Sequence, residues 1–267
     1  MQTLSLSAAL CRATTSITWA DSLKNGTAGK ILIILFWLLL WQGASALVHN
    51  SILLAGPYES LLALCSLAVT SKFWLSILFT FLKITLGFVL GLITGILCAC
   101  LSYRFKLFRE FITPPISVIK SIPVASFVII VIIWAGASSL ATVISALVVF
   151  PMIYHNMLSG LEATGSSLIE MGRLFRFRFI DKARYIYFPQ VLSHLHSAVL
   201  ISSGMAFKSG IAAEVIGRPL QSIGNGLYLS KISLATADLF AWTFCAVILA
   251  YLFEKAVSLI LKRLSAA

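Results

Sequence analysis

Three charged side chains stand inside long apolar stretches of the sequence: Lys83, Lys208 and Glu214. A charge in hydrocarbon is costly, so such residues usually line a polar path, pair with another group or reach toward an interface. Lys208 and Glu214 are six residues apart, so on a helix they point about 120° away from each other. We therefore expect the lysines to offer positive charge to an anionic solute, with bonds to backbone carbonyls or hydroxyl groups as the alternative. Glu214 lies near the end of its stretch, which favours snorkelling or capping.

A glycine pattern precedes these charges along one helical face. Gly87, Gly91 and Gly95 recur at every fourth position, a tandem GxxxG that allows helices to approach closely. Thr80 and Lys83 extend the same face at helical spacing. Plain helix packing explains the glycines; the functional alternative is that Thr80, Lys83 and Gly87 line a translocation path.

Histidines and cysteines predict no catalytic or metal site. The four histidines lack any ligand spacing such as HExxH, and the five cysteines include no CxxC pair. The sequence also has no GxxxxGK[ST] phosphate loop, so we expect the chain neither to hydrolyse ATP nor to carry a cofactor of its own.

Composition indicates that lipid is the solvent for much of the surface. The chain has 267 residues, of which 60% are hydrophobic and 11% charged, whereas soluble domains have about 25% charged residues. The net charge of +11 does not predict nucleic-acid binding, because the cations lie between apolar runs rather than on one basic face.

Six apolar runs predict an all-α membrane protein with six transmembrane helices. They are continuous and about twice as long as the roughly ten-residue strands of a membrane barrel. The third contains Pro114, Pro115 and Pro123, and residues 217–238 are expected to form a polar loop. The first ends on an A-x-A signal-cleavage pattern, but the long polar leader favours an uncleaved span. The runs are Ile31–Val48, Phe73–Leu101, Phe111–Trp134, Leu140–Leu158, Leu192–Ile216 and Leu239–Leu261.

Lysine and arginine are concentrated in alternate loops, which predicts orientation. One set of loops holds thirteen cations from Arg12 to Arg263, whereas the opposite set holds only Lys72, Arg218 and Lys231. Under the positive-inside rule both termini face the cytoplasm. We expect residues 1–30 to be a cytoplasmic N-terminal segment and residues 31–264 to be the membrane domain.

The basic loop at residues 161–190 lies on the predicted cytoplasmic side between the fourth and fifth runs. Its amphipathic character fits a connector on lipid headgroups, and it also fits a helical element that docks on another protein. The spacing resembles the E-A-A-x3-G-x9-I-x-L-P motif of ABC importer permeases. Glu170 takes the acidic position, Met171 and Gly172 replace the alanines, and Ile186 and Pro189 match the end of the motif.

One motif position departs from the family pattern. Arg176 stands where the family has the glycine of the tight turn between two short helices. Arginine there implies a different turn, or one shifted by a residue. The residues that the resemblance assigns to ATPase coupling are Glu170, Met171, Gly172, Arg173, Arg176, Ile186 and Pro189.

The resemblance extends over about residues 50–263. Residues 121–125 and 133–136 look like the I-P-x-x-A…W-F-G stretch of the nitrate/sulfonate/taurine/bicarbonate branch, and residues 212–217 and 224–227 also fit it. The resemblance implies the type I ABC importer permease fold in a bacterial inner membrane. It implies a pair of permeases, most simply a homodimer, two cytoplasmic ATPase subunits that hold ATP and Mg²⁺, and an extracytoplasmic solute-binding protein.

The solute class that the resemblance implies is small and anionic or zwitterionic. The same branch includes importers of a thiamine-pyrimidine precursor or another heterocycle, so that alternative stays open. An intramembrane enzyme would need paired aspartates, a Ser-His dyad or HExxH in the spans, and an energy-coupling-type capture subunit would lack the Glu170–Pro189 pattern.

Overall fold

A computed structural model of the chain describes residues 27–266, and every regular element in this range is helical. Most of the predicted N-terminal segment therefore lies outside the described residues. The prediction of an all-α fold is confirmed. The helices are α1 Thr27–Val48, α2 Pro57–Ala68, α3 Ser71–Arg104, α4 Lys106–Ser121, α5 Val124–Ala135, α6 Leu140–Glu162, α7 Ser166–Leu174, α8 Phe179–Lys182, α9 Phe188–Gly217, α10 Ile223–Ile232 and α11 Thr236–Ala266, with a π-helical turn Ala183–Tyr187 before α9.

Five of these helical stretches are long and apolar enough to cross a membrane. The α4–α5 pair raises the number to six if it forms one span. The third span is predicted over residues 111–134 with interruptions at Pro114, Pro115 and Pro123. The structure has the break at Pro123, where α4 and α5 meet at an angle of 107°, whereas Pro114 and Pro115 lie inside α4. Pro123 causes the break, because proline cannot donate a helical hydrogen bond and holds Ile122 in an extended conformation.

Helix α6 forms the centre of the bundle, with α3 and α9 packed against it. The main apolar cluster joins Ile84 and Phe88 of α3, Val149 and Ile153 of α6, and Phe207 of α9. All five side chains are buried. The outer surface of α3 carries exposed large apolar side chains such as Leu82, Leu86 and Leu90, which is typical of a helix that has lipid as its solvent.

The tandem glycines of α3 face α6 at backbone distance. A methyl group at Gly87 would lie 2.3 Å from the carbonyl oxygen of Thr142, and one at Gly91 would lie 2.8 Å from that of Ala146. Both distances are too short for any real contact, so only glycine fits. The packing explanation of the GxxxG pattern therefore accounts for these positions.

Helix α1 contacts α11 and the segment before α2 near its C-terminal end. The Trp41 ring contacts Phe240 and Phe244 of α11 at centroid distances of 5.1 and 5.9 Å, and Ser45 donates a hydrogen bond to the carbonyl of Leu54. Between α1 and α3 the chain forms the short helix α2. Residues 217–238, expected to be a loop, contain the ten-residue helix α10.

We predict that Gly87→Ala lowers the free energy of unfolding in detergent by about 1–3 kcal/mol, because the new methyl group meets a backbone carbonyl that cannot rotate away. The matched control is Gly43→Ala on α1, where nothing lies within 4 Å of the added methyl group. Gly43→Ala should leave stability unchanged or slightly higher. Equal effects of the two changes would contradict close packing of α3 on α6.

Candidate functional site

The loop between α6 and α9 folds as a compact helical element, as its amphipathic pattern predicts. Helices α7 and α8 and the π-helical turn follow one another, and the turn leads directly into α9. Pro189 lies in the first turn of α9, where its missing N–H costs no helical hydrogen bond. The element is therefore a rigid extension of a transmembrane helix.

Two motif residues meet inside this element. Ile186 is 4% exposed, and its Cδ1 lies 2.6 Å from the place that a methyl group on Gly172 would take. The small residue at 172 thus makes room for the Ile186 side chain. Glu170, by contrast, is exposed on the outside of α7. For Arg173 the structure describes the backbone only.

The outer side of the element carries apolar side chains that nothing in the described chain covers. We call this set the coupling surface; its members are Met171, Leu174, Phe175, Ile180 and Tyr185. Leu174 is 82% exposed and Phe175 is 70% exposed. Exposed clusters of large apolar residues mark surfaces that contact a protein or a membrane.

Arg176 occupies the turn between α7 and α8 in the left-handed conformation, with φ of +49°. The N–H of Phe177 donates to the carbonyl of Gly172 at 3.0 Å, the six-to-one bond of a Schellman cap. The turn is therefore not shifted along the chain, because the left-handed residue is Arg176 itself, at the position of the family's glycine. Arginine takes the conformation that favours glycine, at a cost of roughly 1–2 kcal/mol for an L-residue.

Contacts at the inner ends of the helices hold the element in place. Tyr187 of the π-helical turn packs edge-on against Tyr103 of α3, with ring centroids 5.9 Å apart. Arg109 of α4 forms an ion pair with Glu162 at the end of α6. Both contacts connect the base of the loop to helices of the bundle.

A second polar group lies at the opposite ends of α3 and α9. The buried Glu214 carboxylate accepts a hydrogen bond from the Thr80 hydroxyl at 2.9 Å and one from the backbone N–H of Gly224 at 3.2 Å. The Thr80 oxygen in turn accepts from the N–H of Ile223 at 3.0 Å. A carboxylate at the first turn of α10 satisfies free N–H groups and complements the helix dipole. Glu214 thus caps α10, one of the two roles expected for it.

The five candidate path residues take different places. Thr80, Gly87 and Glu214 are buried inside the chain, where Thr80 and Glu214 bond each other and Gly87 contacts α6. Lys83 is half-buried on α3. Lys208 is exposed and lines a cavity between α9 and α11.

Sequence reasoning missed three charges in the predicted apolar runs, which are Lys120, Glu254 and Lys255. Glu254 stands within the predicted sixth run, Leu239–Leu261, and lines the same cavity as Lys208. The rule that singled out Lys208 applies equally to Glu254. No group of three or more His, Cys, Asp or Glu residues suited to a metal occurs among residues 27–266.

The family model described as "Binding-protein-dependent transport system inner membrane component" matches residues 87–266, more than half of the chain. The chain belongs to this family. It is the permease component of an ABC importer, with the type I ABC permease fold, and a multi-pass protein of the inner membrane. The predicted family resemblance is confirmed, and the family is one of transport proteins rather than enzymes.

One curated relative is similar to this permease over most of its length. It is the putative aliphatic sulfonates transport permease protein SsuC of Bacillus subtilis (strain 168), 21% identical over 196 residues. The match covers 73% of this chain and 71% of the relative. This similarity agrees with the sulfonate branch of the predicted resemblance.

We predict that Arg176→Gly stabilises the helical loop between α6 and α9 by up to about 1 kcal/mol, because glycine adopts the left-handed conformation without strain. Slower hydrogen exchange at the Phe177 amide would show this stabilisation. Arg178→Gly is the control, since Arg178 lies outside the left-handed region. Slower exchange in the control as well, or unchanged exchange in Arg176→Gly, would contradict this account.

We predict that Thr80→Val destabilises the permease by about 1–3 kcal/mol, because it leaves the Glu214 carboxylate and the Ile223 N–H without their shared partner. Amides at the start of α10 should exchange faster. Thr94→Val is the control, since the Thr94 hydroxyl is exposed and bonds only carbonyls of its own helix. Unchanged protection of Ile223 and Gly224 would rule out the capping role.

Proposed function

We propose that this permease forms the translocation path for a small sulfonate-type solute, anionic or zwitterionic, and couples it to a separate ATPase through the element at residues 166–187. The observation that carries the coupling proposal is the coupling surface. Its apolar side chains stand out from an element whose inner side is packed through Ile186 and Gly172. A rigid, outward-facing apolar surface is suited to enter a groove on a partner protein.

The mechanical argument rests on how the element is joined to the bundle. The π-helical turn continues into α9, and Tyr187 contacts Tyr103 at the end of α3. A displacement imposed on the coupling surface is therefore transmitted to two helices that pack on α6. Under the proposal, closure of two ATPase subunits around ATP and Mg²⁺ moves two copies of the permease between inward-open and outward-open states.

Orientation and partners complete the proposal. The cation bias of the loops supports an orientation with both termini and the coupling surface in the cytoplasm. The opposite side, which carries α10, would then meet an extracytoplasmic binding protein that delivers the solute. The relative is named as an aliphatic sulfonates transport permease, which supports a sulfonate as the solute, and the exposed Lys208 supplies positive charge for such an anion.

We predict that Leu174→Asp weakens association with the ATPase subunit at least about tenfold, since a charge replaces an apolar anchor at a desolvated contact. Leu107→Asp on α4 is a matched control: both leucines are 82% exposed, and Leu107 lies outside the coupling surface. Co-purification of the ATPase from membranes measures association, and membrane insertion should be equal in both variants.

Three results would contradict the proposal. Leu174→Asp and Leu107→Asp could bind the ATPase equally well, cross-links from Phe175 could reach only lipid, or the reconstituted complex could fail to take up an aliphatic sulfonate in an ATP-dependent manner. The first two would favour a lipid-facing connector. The third would remove the sulfonate assignment and leave the coupling assignment in place.

A further inference from the structure

A cavity between α9 and α11 carries one basic and one acidic side chain. Its volume is about 600 Å³, and it is lined by Lys208 of α9 and Glu254 of α11. Most of the remaining wall is apolar, with Leu200, Ile211 and Val247 among its members. The cavity is distinct from the Thr80–Glu214 cap and from the coupling surface.

Neither charge is satisfied by the protein. Among residues 27–266, Lys208 and Glu254 make no hydrogen bond to a side chain and no ion pair within 4.0 Å. Both stand well inside their helices, since Lys208 precedes Gly217 by nine residues and Glu254 precedes Arg263 by nine, about 14 Å in each case. Unpaired charges at such depth mark a polar pathway or a ligand.

The two charged residues lie at similar height in the cavity. A carboxylate oxygen of Glu254 lies 3.8 Å from the position of a methyl group on Gly204, and the backbone of Gly204 is one helical turn from that of Lys208, about 6 Å along the axis. The absence of a side chain at Gly204 leaves space beside the carboxylate. Opposite charges that line one cavity without forming an ion pair within 4.0 Å, together with an apolar wall, complement a short molecule that carries both signs.

We propose that this cavity binds a zwitterionic solute, with its sulfonate or carboxylate at Lys208 and its ammonium group at Glu254. The proposal rests on the proposed function and selects the zwitterion from the two solute classes given there. A purely anionic solute would gain from Lys208 but would be repelled by Glu254. A zwitterion satisfies both charges, which a single-charge solute cannot do.

The test is equilibrium binding to the full-length permease purified in detergent, with and without its ATPase, and without the binding protein. Three labelled probes are compared: 2-aminoethanesulfonate, ethanesulfonate and ethylamine. We expect 2-aminoethanesulfonate to bind at least about tenfold more tightly than the other two, the factor for one charge-assisted hydrogen bond. Leaving out the binding protein removes its own selectivity from the measurement.

Three variants test which side chain contacts which charged group of the solute. Glu254→Gln should abolish the preference for 2-aminoethanesulfonate over ethanesulfonate, whereas Lys208→Met should weaken both sulfonates. Lys255→Met is the control, because Lys255 is exposed on the same helix and does not line the cavity. It should change neither affinity.

Equal affinity of the two sulfonates in the natural sequence, a preference that survives Glu254→Gln, or no saturable binding of any probe would overturn the inference. The two single variants could also cause permease pairs to dissociate, and the Lys208→Glu/Glu254→Lys double variant could restore the pairs. That result would assign the charges to an interface between two copies and would overturn the inference as well. Failure of ATPase association overturns the proposed function alone, since the binding measurement does not require the ATPase.

Discussion

The arrangement of the bundle depends on the close approach of α3 and α9 to α6. Within a bilayer the hydrophobic effect does not draw helices together, so association relies on close contact between backbones and on interhelical hydrogen bonds. Gly87 brings α3 to the backbone of Thr142, and Gly210 brings α9 near Ile84, where a methyl group would lie 2.7 Å from the side chain. Ser145 of α6 adds a hydrogen bond to the carbonyl of Ala206 on α9.

This packing determines which polar residues meet. With α3 and α9 fixed against α6, Thr80 lies opposite Glu214, and the carboxylate is directed at the first N–H groups of α10. Gly224 is required there, because a methyl group would lie 2.3 Å from Cβ of Glu214. The same rotation of α9 directs Lys208 to another side, toward Glu254 and the cavity beside α11. Helix α9 therefore carries two charges: Glu214, which caps α10, and Lys208, which has no partner among the described residues.

At the other end of the bundle, rigidity and exposure are separated within one small element. Ile186 and Gly172 pack its interior, whereas Leu174 and Phe175 stand free on the outside. Arg176 retains the left-handed turn despite the cost to an L-residue, since the Phe177–Gly172 hydrogen bond holds the cap. A left-handed cap thus forms here with arginine at the position of the family's glycine.

The sequence by itself determined the class of the protein, the number and limits of most apolar helices, the helical loop at residues 161–190 and the family. Run length, loop charge and motif spacing are local properties, and each can be read without knowing which helices touch. Tertiary structure alone decided the 107° bend at Pro123, the Thr80–Glu214 bond across 134 residues of chain, and the shared cavity of Lys208 and Glu254. These depend on the rotation and axial position of one helix against another, which the contacts of α3 and α9 with α6 set and which no single helix encodes.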